Sequence, residues 1–319
     1  MNATLGARRP LGRSARTISR IALGCGNFGG VGTAPEFFGQ GLTDDQALQL
    51  MDAAWEFGIT HFDTADAYGG GRSELAIGRW IQSRGVHPEL TTKTFNPMQA
   101  GADGGLKPER ITRQLHASLE RLGVEHVDLY LAHDFDRDVP LPESFGALDA
   151  AQAGGTIRAY GVSNFDAAQL AAALAAGTPQ AIQNCYSLLS RQDEPELLPL
   201  CAQRQVAYLA FSPLAGGWLT GKYRRGEPFP AGSRMTQRPG PYQEFLVGRT
   251  FDALDRLQSI AAGRGISMAG LALAWLLADE RVTQIVIGPG RPEHLAPAGE
   301  ALGHPLTGGE RAAIERMVA

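Results

Sequence analysis

The chain has 319 residues, of which 44% are hydrophobic and 19% charged, and its formal net charge is −4. This composition suits a folded protein with a full core, and the acidic balance argues against a nucleic-acid footprint or attraction to an anionic membrane. Three scattered cysteines, Cys25, Cys185 and Cys201, exclude a disulfide framework or zinc site and suit a reducing cytoplasm, the expected location.

Arg8, Arg9, Arg13, Arg16 and Arg20 sit near the N-terminus, but no apolar stretch of the length an export signal needs follows them. Residues 1–18 therefore read as a short, poorly ordered lead, and 19–319 as one folded unit. No run approaches the roughly 18 apolar residues of a membrane helix. Residues 21–24 read as a strand, followed by a glycine-rich loop over 29–41 bearing Phe37 and Phe38. Thr43 and Asp44 can cap a helix in which Ala47, Leu50, Met51, Ala54 and Trp55 recur at helical spacing, and Gly58 ends it. A strand at 59–62 follows, then one at 90–93. Pro108 opens a helix with Ile111, Leu115, Leu119 and Leu122 on one face. Further strands are expected at 127–132, 156–162, 180–183, 206–211 and 282–287, with Ala- and Leu-rich helices between. Residues 215–248, rich in Gly, Pro and Arg, form a second long loop with Tyr223, Phe229, Tyr242 and Phe245 as anchors.

Strands separated by helices imply a parallel sheet, and eight such units point to a closed (β/α)₈ TIM barrel. Asp63, Lys93, His133, Asn164, Gln183, Ser212 and Gly288 each fall at or just after the end of an expected strand. In such barrels that rim carries the chemistry.

Three of these segments together hold a carboxylate, a phenol, an ammonium and an imidazole: Asp63 with Tyr68, then Lys93, then His133. A phenol is a weak acid near neutrality, but an adjoining ammonium stabilises the phenolate left when its proton departs. Asp63 can keep Lys93 charged, and His133 can stabilise negative charge on a carbonyl oxygen. Each has a plainer reading: Asp63 as a turn cap, Tyr68 as a loop aromatic, Lys93 as a surface lysine, His133 as a hydrogen-bonded structural residue. Their joint occurrence at strand ends favours an active site.

The segment Phe62-Asp-Thr-Ala-Asp-Ala-Tyr-Gly69 with Ser73-Glu74 resembles the first signature of the aldo-keto reductase superfamily. Lys93, His133, Gly161-Val-Ser-Asn164, Gln183-Asn-Cys-Tyr186 and Phe211-Ser-Pro-Leu214 match further motifs in order. The pattern is similar to bacterial members related to potassium-channel β subunits. The resemblance implies hydride transfer between NAD(P)H and an aldehyde or ketone, with Tyr68 as general acid assisted by Lys93, Asp63 and His133. It further implies that Ser163, Asn164 and Gln183 hold the nicotinamide carboxamide and that Tyr186 stacks on its ring. Ser212, Pro213, Leu214, Gly216 and Leu219 would approach the pyrophosphate, and Lys222 and Arg234 the phosphates. Gly24, Cys25, Gly26 and Gly288 complete the expected cofactor surround.

No GxGxxG opens a helix after the first strand, so the cofactor is expected across the barrel mouth rather than on a Rossmann cradle. Over 288–298 the chain departs from the related pattern: Gly290 replaces a polar or basic residue, His294 takes a glutamine position, and Ala298 an asparagine position. Arg291 either clamps a 2′-phosphate or faces solvent. NADPH is the expected cofactor and NADH the alternative, with no metal. Phe28, Phe37, Phe38, Phe95, Phe135, Trp218 and Tyr242 are candidate walls for a small carbonyl or alcohol substrate. The rival readings are a cofactor-binding regulatory subunit and a sugar or polyol dehydrogenase working oxidatively. A metal-dependent barrel hydrolase is disfavoured by seven dispersed histidines with no HxH pair.

Overall fold

The computed structural model describes residues 7–318. Two short strands, β1 (Arg8–Pro10) and β2 (Thr17–Ser19), pair antiparallel. Eight parallel strands then close one barrel in chain order: β3 (Ile21–Gly24), β4 (His61–Asp63), β5 (Glu89–Thr94), β6 (Leu129–Ala132), β7 (Tyr160–Ser163), β8 (Ala181–Cys185), β9 (Ala207–Phe211) and β10 (Val282–Ile287). Ile285 against Ile21 and Ile287 against Leu23 complete the ring. The fold is thus the expected (β/α)₈ barrel.

Local sequence explains the elements. The Asp44–Phe57 helix starts at a capping box in which Thr43 and Gln46 bond each other's backbone, and ends at Gly58 with φ 103°. That left-handed cap occupies Ile59, whose N–H returns to Ala54, so β4 starts at His61 rather than at 59. Likewise Val127 and Ile157 make only an isolated bridge, and β6 and β7 begin later than the apolar runs do. Pro108 occupies the first turn of the Pro108–Leu122 helix, whose buried face includes Ile111, Leu115, Leu119 and Leu122.

The core has two parts. A large shell packs helices against the outward strand residues, Tyr130, Tyr160, Ile182 and Tyr208 among them. A small inner cluster fills the lumen: Leu129, Leu131, Ala159, Ala181, Ala207 and Leu209, joined by Leu11 and Ile18 from the N-terminal hairpin. Here the expected unstructured lead is corrected for residues 8–18; the first six residues lie outside the described part. Burying Leu11 and Ile18 contributes about 2 kcal/mol each, which holds the hairpin across the barrel floor. Gly12, at φ 60°, passes so close that a Cβ would lie 2.2 Å from the Gln180 carbonyl. Arg8 also pairs with Glu89.

The two long loops are ordered. Within 29–41, expected as flexible, Gly29 N donates to Leu42 O, and Leu42 N to Asn27 O. In the second loop Trp218 is fully buried among Tyr223, Phe229, Phe245 and Phe251, at 5.1–6.3 Å between ring centroids. The loops meet where the Arg238 guanidinium lies 5.5 Å from the Phe37 ring. No single helix among the described residues is long and apolar enough to cross a membrane.

Candidate active site

Strand alternation decides which side chains reach the barrel mouth. Leu129 and Leu131 point into the lumen, so His133 continues that row; Ala181 leads to Gln183, and Ala207 and Leu209 to Phe211. Beyond β4 the chain stays in ladder register, with Thr64 N donating to Thr91 O and Asp66 N to Lys93 O. It then turns at Ala65–Tyr68 and carries the phenol back over the rim. The Tyr68 ring rests 3.5 Å from where a Gly26 Cβ would stand. Gly69, at φ 59°, lies so near Gly30 that a Cβ on Gly30 would come within 2.8 Å of its Cα. Two glycines are therefore needed where these loops touch.

Lys93 Nζ donates to Asp63 Oδ1 at 2.5 Å and to Thr64 O at 2.8 Å, and it lies 5.1 Å from the Tyr68 ring centroid. The His133 ring stands edge-on to Tyr68 at 5.6 Å. The four residues named from sequence therefore converge at one rim. Lys93 is fully buried, Asp63 and His133 are buried, and Tyr68 is half-buried. Burial alone would lower the Lys93 pKa, but Asp63 and then Tyr68 more than offset it, and the ammonium is held above the ordinary lysine value. Burial raises the Tyr68 phenol, with Lys93 pulling the other way. Burial, then Lys93, drives His133 well below the usual histidine range, so its imidazole is neutral.

Around this group, Ser163 Oγ donates to Gln183 O at 2.7 Å. Asn164, exposed and at φ 59°, donates to His133 O at 2.9 Å and keeps its amide oxygen at the mouth. Gln183 sits at the same rim, but its amide donates to Asp63 Oδ2 at 2.7 Å. After β9 the backbone runs through left-handed φ at Ser212, Ala215, Gly216 and Gly217. Successive amides in such a turn can form a concave anion site. Lys222 and Arg291 are exposed, and both depress His294, after burial as the main cause. Both cations therefore act on His294, and Gly288 is exposed just past the end of β10. His294 Nδ1 accepts from Gly290 N at 3.2 Å. Arg234 is half-buried, and burial lowers its pKa.

Some expectations fail. Tyr186, just past β8, is fully buried on the outward side, with its ring 5.8 Å from that of Tyr208 and 5.4 Å from that of Trp275. Its hydroxyl donates to Glu194 Oε1 at 2.7 Å. It cannot stack on a ring at the mouth, because from Gln183 an odd step leads outward. Phe211, half-buried and inward-facing, is the aromatic at that rim. Counting by twos from Leu209 would have found it. The side chains of Cys25 and Leu219 are fully buried, so only their backbones face the loops. Trp218 and Phe28 are core residues rather than pocket walls, whereas Phe37, Phe38, Phe95, Phe135 and Tyr242 are half-buried.

The family model for the aldo/keto reductase family matches residues 20–319. The chain belongs to this family. Among relatives, an NADH-specific methylglyoxal reductase of Escherichia coli (strain K12) is 30% identical, with 97% of each chain covered. A probable voltage-gated potassium channel subunit β of Oryza sativa subsp. japonica is also 30% identical, covering 92% of this chain and 90% of the relative. The solved structure of the glycerol dehydrogenase AKR11B4 from Gluconobacter oxydans superposes with a TM-score of 0.84 at 28% identity, covering 99% of this chain and 96% of the other. This aldo/keto reductase is therefore an oxidoreductase that uses a nicotinamide cofactor in carbonyl–alcohol interconversion.

Proposed function

We propose that Tyr68 protonates the carbonyl oxygen of a small aldehyde or ketone, with Lys93 and Asp63 supporting it and His133 donating to the same oxygen. The observation that carries this reading is the buried Lys93–Asp63 pair at 2.5 Å, set 5.1 Å from the Tyr68 ring. When bound, the reduced nicotinamide supplies a hydride to the carbonyl carbon. As charge grows on the oxygen, the Tyr68 O–H bond breaks and the proton passes to the substrate. The phenolate that remains faces the buried Lys93 ammonium, which Asp63 keeps charged. His133 is neutral and gives one N–H to the developing oxyanion without losing a proton itself. In the reverse direction the Tyr68 phenolate takes the alcohol proton.

The donor set suits a nicotinamide dinucleotide. Ser163 and Asn164 offer a hydroxyl and an amide for the carboxamide, and Phe211 replaces Tyr186 as the platform for the ring. The glycine-containing turn from Ser212 to Leu219, with Pro213, Leu214 and Gly216, presents backbone to the pyrophosphate. Lys222, Arg234, Arg291 and His294 supply charge and hydrogen bonds at the adenosine end, beside Gly288. We take NADPH as the cofactor, because the exposed cations Lys222 and Arg291, both acting on the His294 imidazole, fit a 2′-phosphate. Tryptophan-fluorescence titration tests this: NADPH should bind more tightly than NADH, and Arg291→Ala should close the gap by about tenfold. Equal affinities in the unaltered protein would reverse the assignment.

A polyol dehydrogenase working oxidatively is the second reading, since a glycerol dehydrogenase superposes on the chain throughout. Initial rates for carbonyls and alcohols with both cofactors separate the two readings. Cytoplasmic residence belongs to this proposal and rests on three cysteines that form no disulfide.

A further inference from the structure

A histidine that donates to a carbonyl oxygen must carry its proton on the nitrogen facing that oxygen. A neutral imidazole has one N–H, so its other nitrogen decides the matter: a donor against that nitrogen forces the proton to the far side. In this protein the side chain facing His133 Nδ1 is the Asn96 amide, with Nδ2 at 3.4 Å. His133 Nε2 makes no hydrogen bond among the described residues.

Asn96 is half-buried three residues after Lys93, and its backbone is pinned from below. Arg110, almost fully buried, donates from Nη2 to Asn96 O at 2.8 Å. Its Nη1 donates to Thr94 Oγ1 at 2.8 Å and to Gly105 O at 3.0 Å. Gly105 N closes the loop onto Phe95 O at 2.8 Å. The second anchor is Asn164, whose Nδ2 holds the His133 carbonyl at 2.9 Å. Both the histidine backbone and the loop carrying Asn96 are thus fixed. The long 3.4 Å contact is one that tightens when a substrate oxygen draws on the far nitrogen.

We propose that Asn96 is a positioning residue for the reaction: by donating to His133 Nδ1 it holds the imidazole as the Nε2–H tautomer and keeps that N–H aimed at the substrate oxygen. This rests on the role given to His133 above. The groups facing the imidazole are Lys93 from β5 and Tyr68 from the turn after β4, both disfavouring an imidazolium or neutral towards it. Asn96 therefore has a neutral ring to orient.

Long-range ¹H–¹⁵N correlation spectra of the uniformly labelled protein read the tautomer directly, with the His133 signals identified by their loss in His133→Gln. At neutral pH the expected pattern is a protonated Nε2 and an unprotonated Nδ1. An Nδ1–H pattern in the unaltered protein overturns the proposal, and that measurement needs no Asn96 variant. Asn96→Asp puts a carboxylate against Nδ1, so the proton should move there, or a second be taken up. kcat should then fall by up to about 10²-fold, the cost of one oxyanion donor, and an ionisation absent from the unaltered protein should enter the pH profile. An unchanged His133 tautomer and pH profile in Asn96→Asp would also overturn it. Turnover of His133→Gln reports separately on the histidine's role: full activity there would remove that role while leaving the tautomer result standing.

Discussion

Gln183 donates its amide Nε2 to Asp63 Oδ2 at 2.7 Å, a bond that spans the mouth from β8 to β4, four strands away in a ring of eight. Asp63 Oδ1 meanwhile accepts from Lys93. The carboxylate is therefore held on both oxygens, and its orientation is set from the far wall of the barrel. Gln183→Leu removes the distal donor and leaves a buried carboxylate oxygen unpaired, at a cost of about 1–3 kcal/mol. Urea unfolding should show that loss together with a fall in kcat. Unchanged stability and unchanged kcat would contradict the orienting role.

Breaking the ion pair should cost more than removing it. Lys93→Met leaves Asp63 buried and charged, and Asp63→Asn leaves Lys93 likewise. Each single change is expected to destabilise by about 3–5 kcal/mol, and the double variant by clearly less than their sum. Denaturant midpoints for the four proteins measure the coupling; additive losses would mean the pair is not a unit.

Phe211 and Tyr186 separate by location. Phe211→Ala should weaken nicotinamide binding by about tenfold, a loss in the range of aromatic contacts. Tyr186→Phe should leave cofactor affinity unchanged. It removes a hydroxyl that donates to Glu194 and accepts from Arg311 Nη2 at 3.1 Å, so its effect should fall on stability, by about 1–2 kcal/mol. Fluorescence titration of both variants checks the assignment, and a cofactor defect confined to Tyr186→Phe would reverse it.

A pH effect on stability should trace to Asp66. Burial raises this carboxyl from 3.8 to about 7; the Thr94 hydrogen bond lowers it, Glu74 raises it and Arg110 lowers it. Because the folded-state value lies above the unfolded one, the folded form holds an extra proton between them. The stabilisation is complete below about pH 4 and is lost as pH rises to about 7, with a slope of at most about 1.4 kcal/mol per pH unit. Asp66→Asn should flatten that stretch of the stability curve. Parallel curves for the two proteins from pH 4 to 8 would rule out Asp66 as the source.

Much of this was legible because strand ends announce themselves. The apolar run Leu129–Ala132 stops at His133, while Asp63 and Lys93 end strands of mixed polarity, and the barrel brings all three ends to one rim. Strand limits drifted by up to four residues where helix exits used part of the apolar run, as at Ile59, or where only an isolated bridge formed, as at Ile157. Tyr186 was misplaced because motif order carries no facing information, whereas alternation from Leu209 points to Phe211. The N-terminal hairpin was missed since Leu11 and Ile18 are single apolar residues in an arginine-rich stretch. Nothing local shows that they plug a lumen built from Leu129, Leu131 and Leu209. The Gln183–Asp63 bond joins residues 120 positions apart, and only ring closure brings them together.

The most direct test follows one hydride and one proton in a single turnover. Enzyme loaded with 4-deuterated NADPH is mixed with an aldehyde that the unaltered protein reduces, and cofactor oxidation is followed by stopped flow in the unaltered protein and in Tyr68→Phe. Deuterium should appear on the carbinol carbon, and Tyr68→Phe should slow its transfer by about 10²- to 10⁴-fold while binding the cofactor with nearly unchanged affinity. Transfer at the unaltered rate in Tyr68→Phe would contradict the assignment of the proton donor.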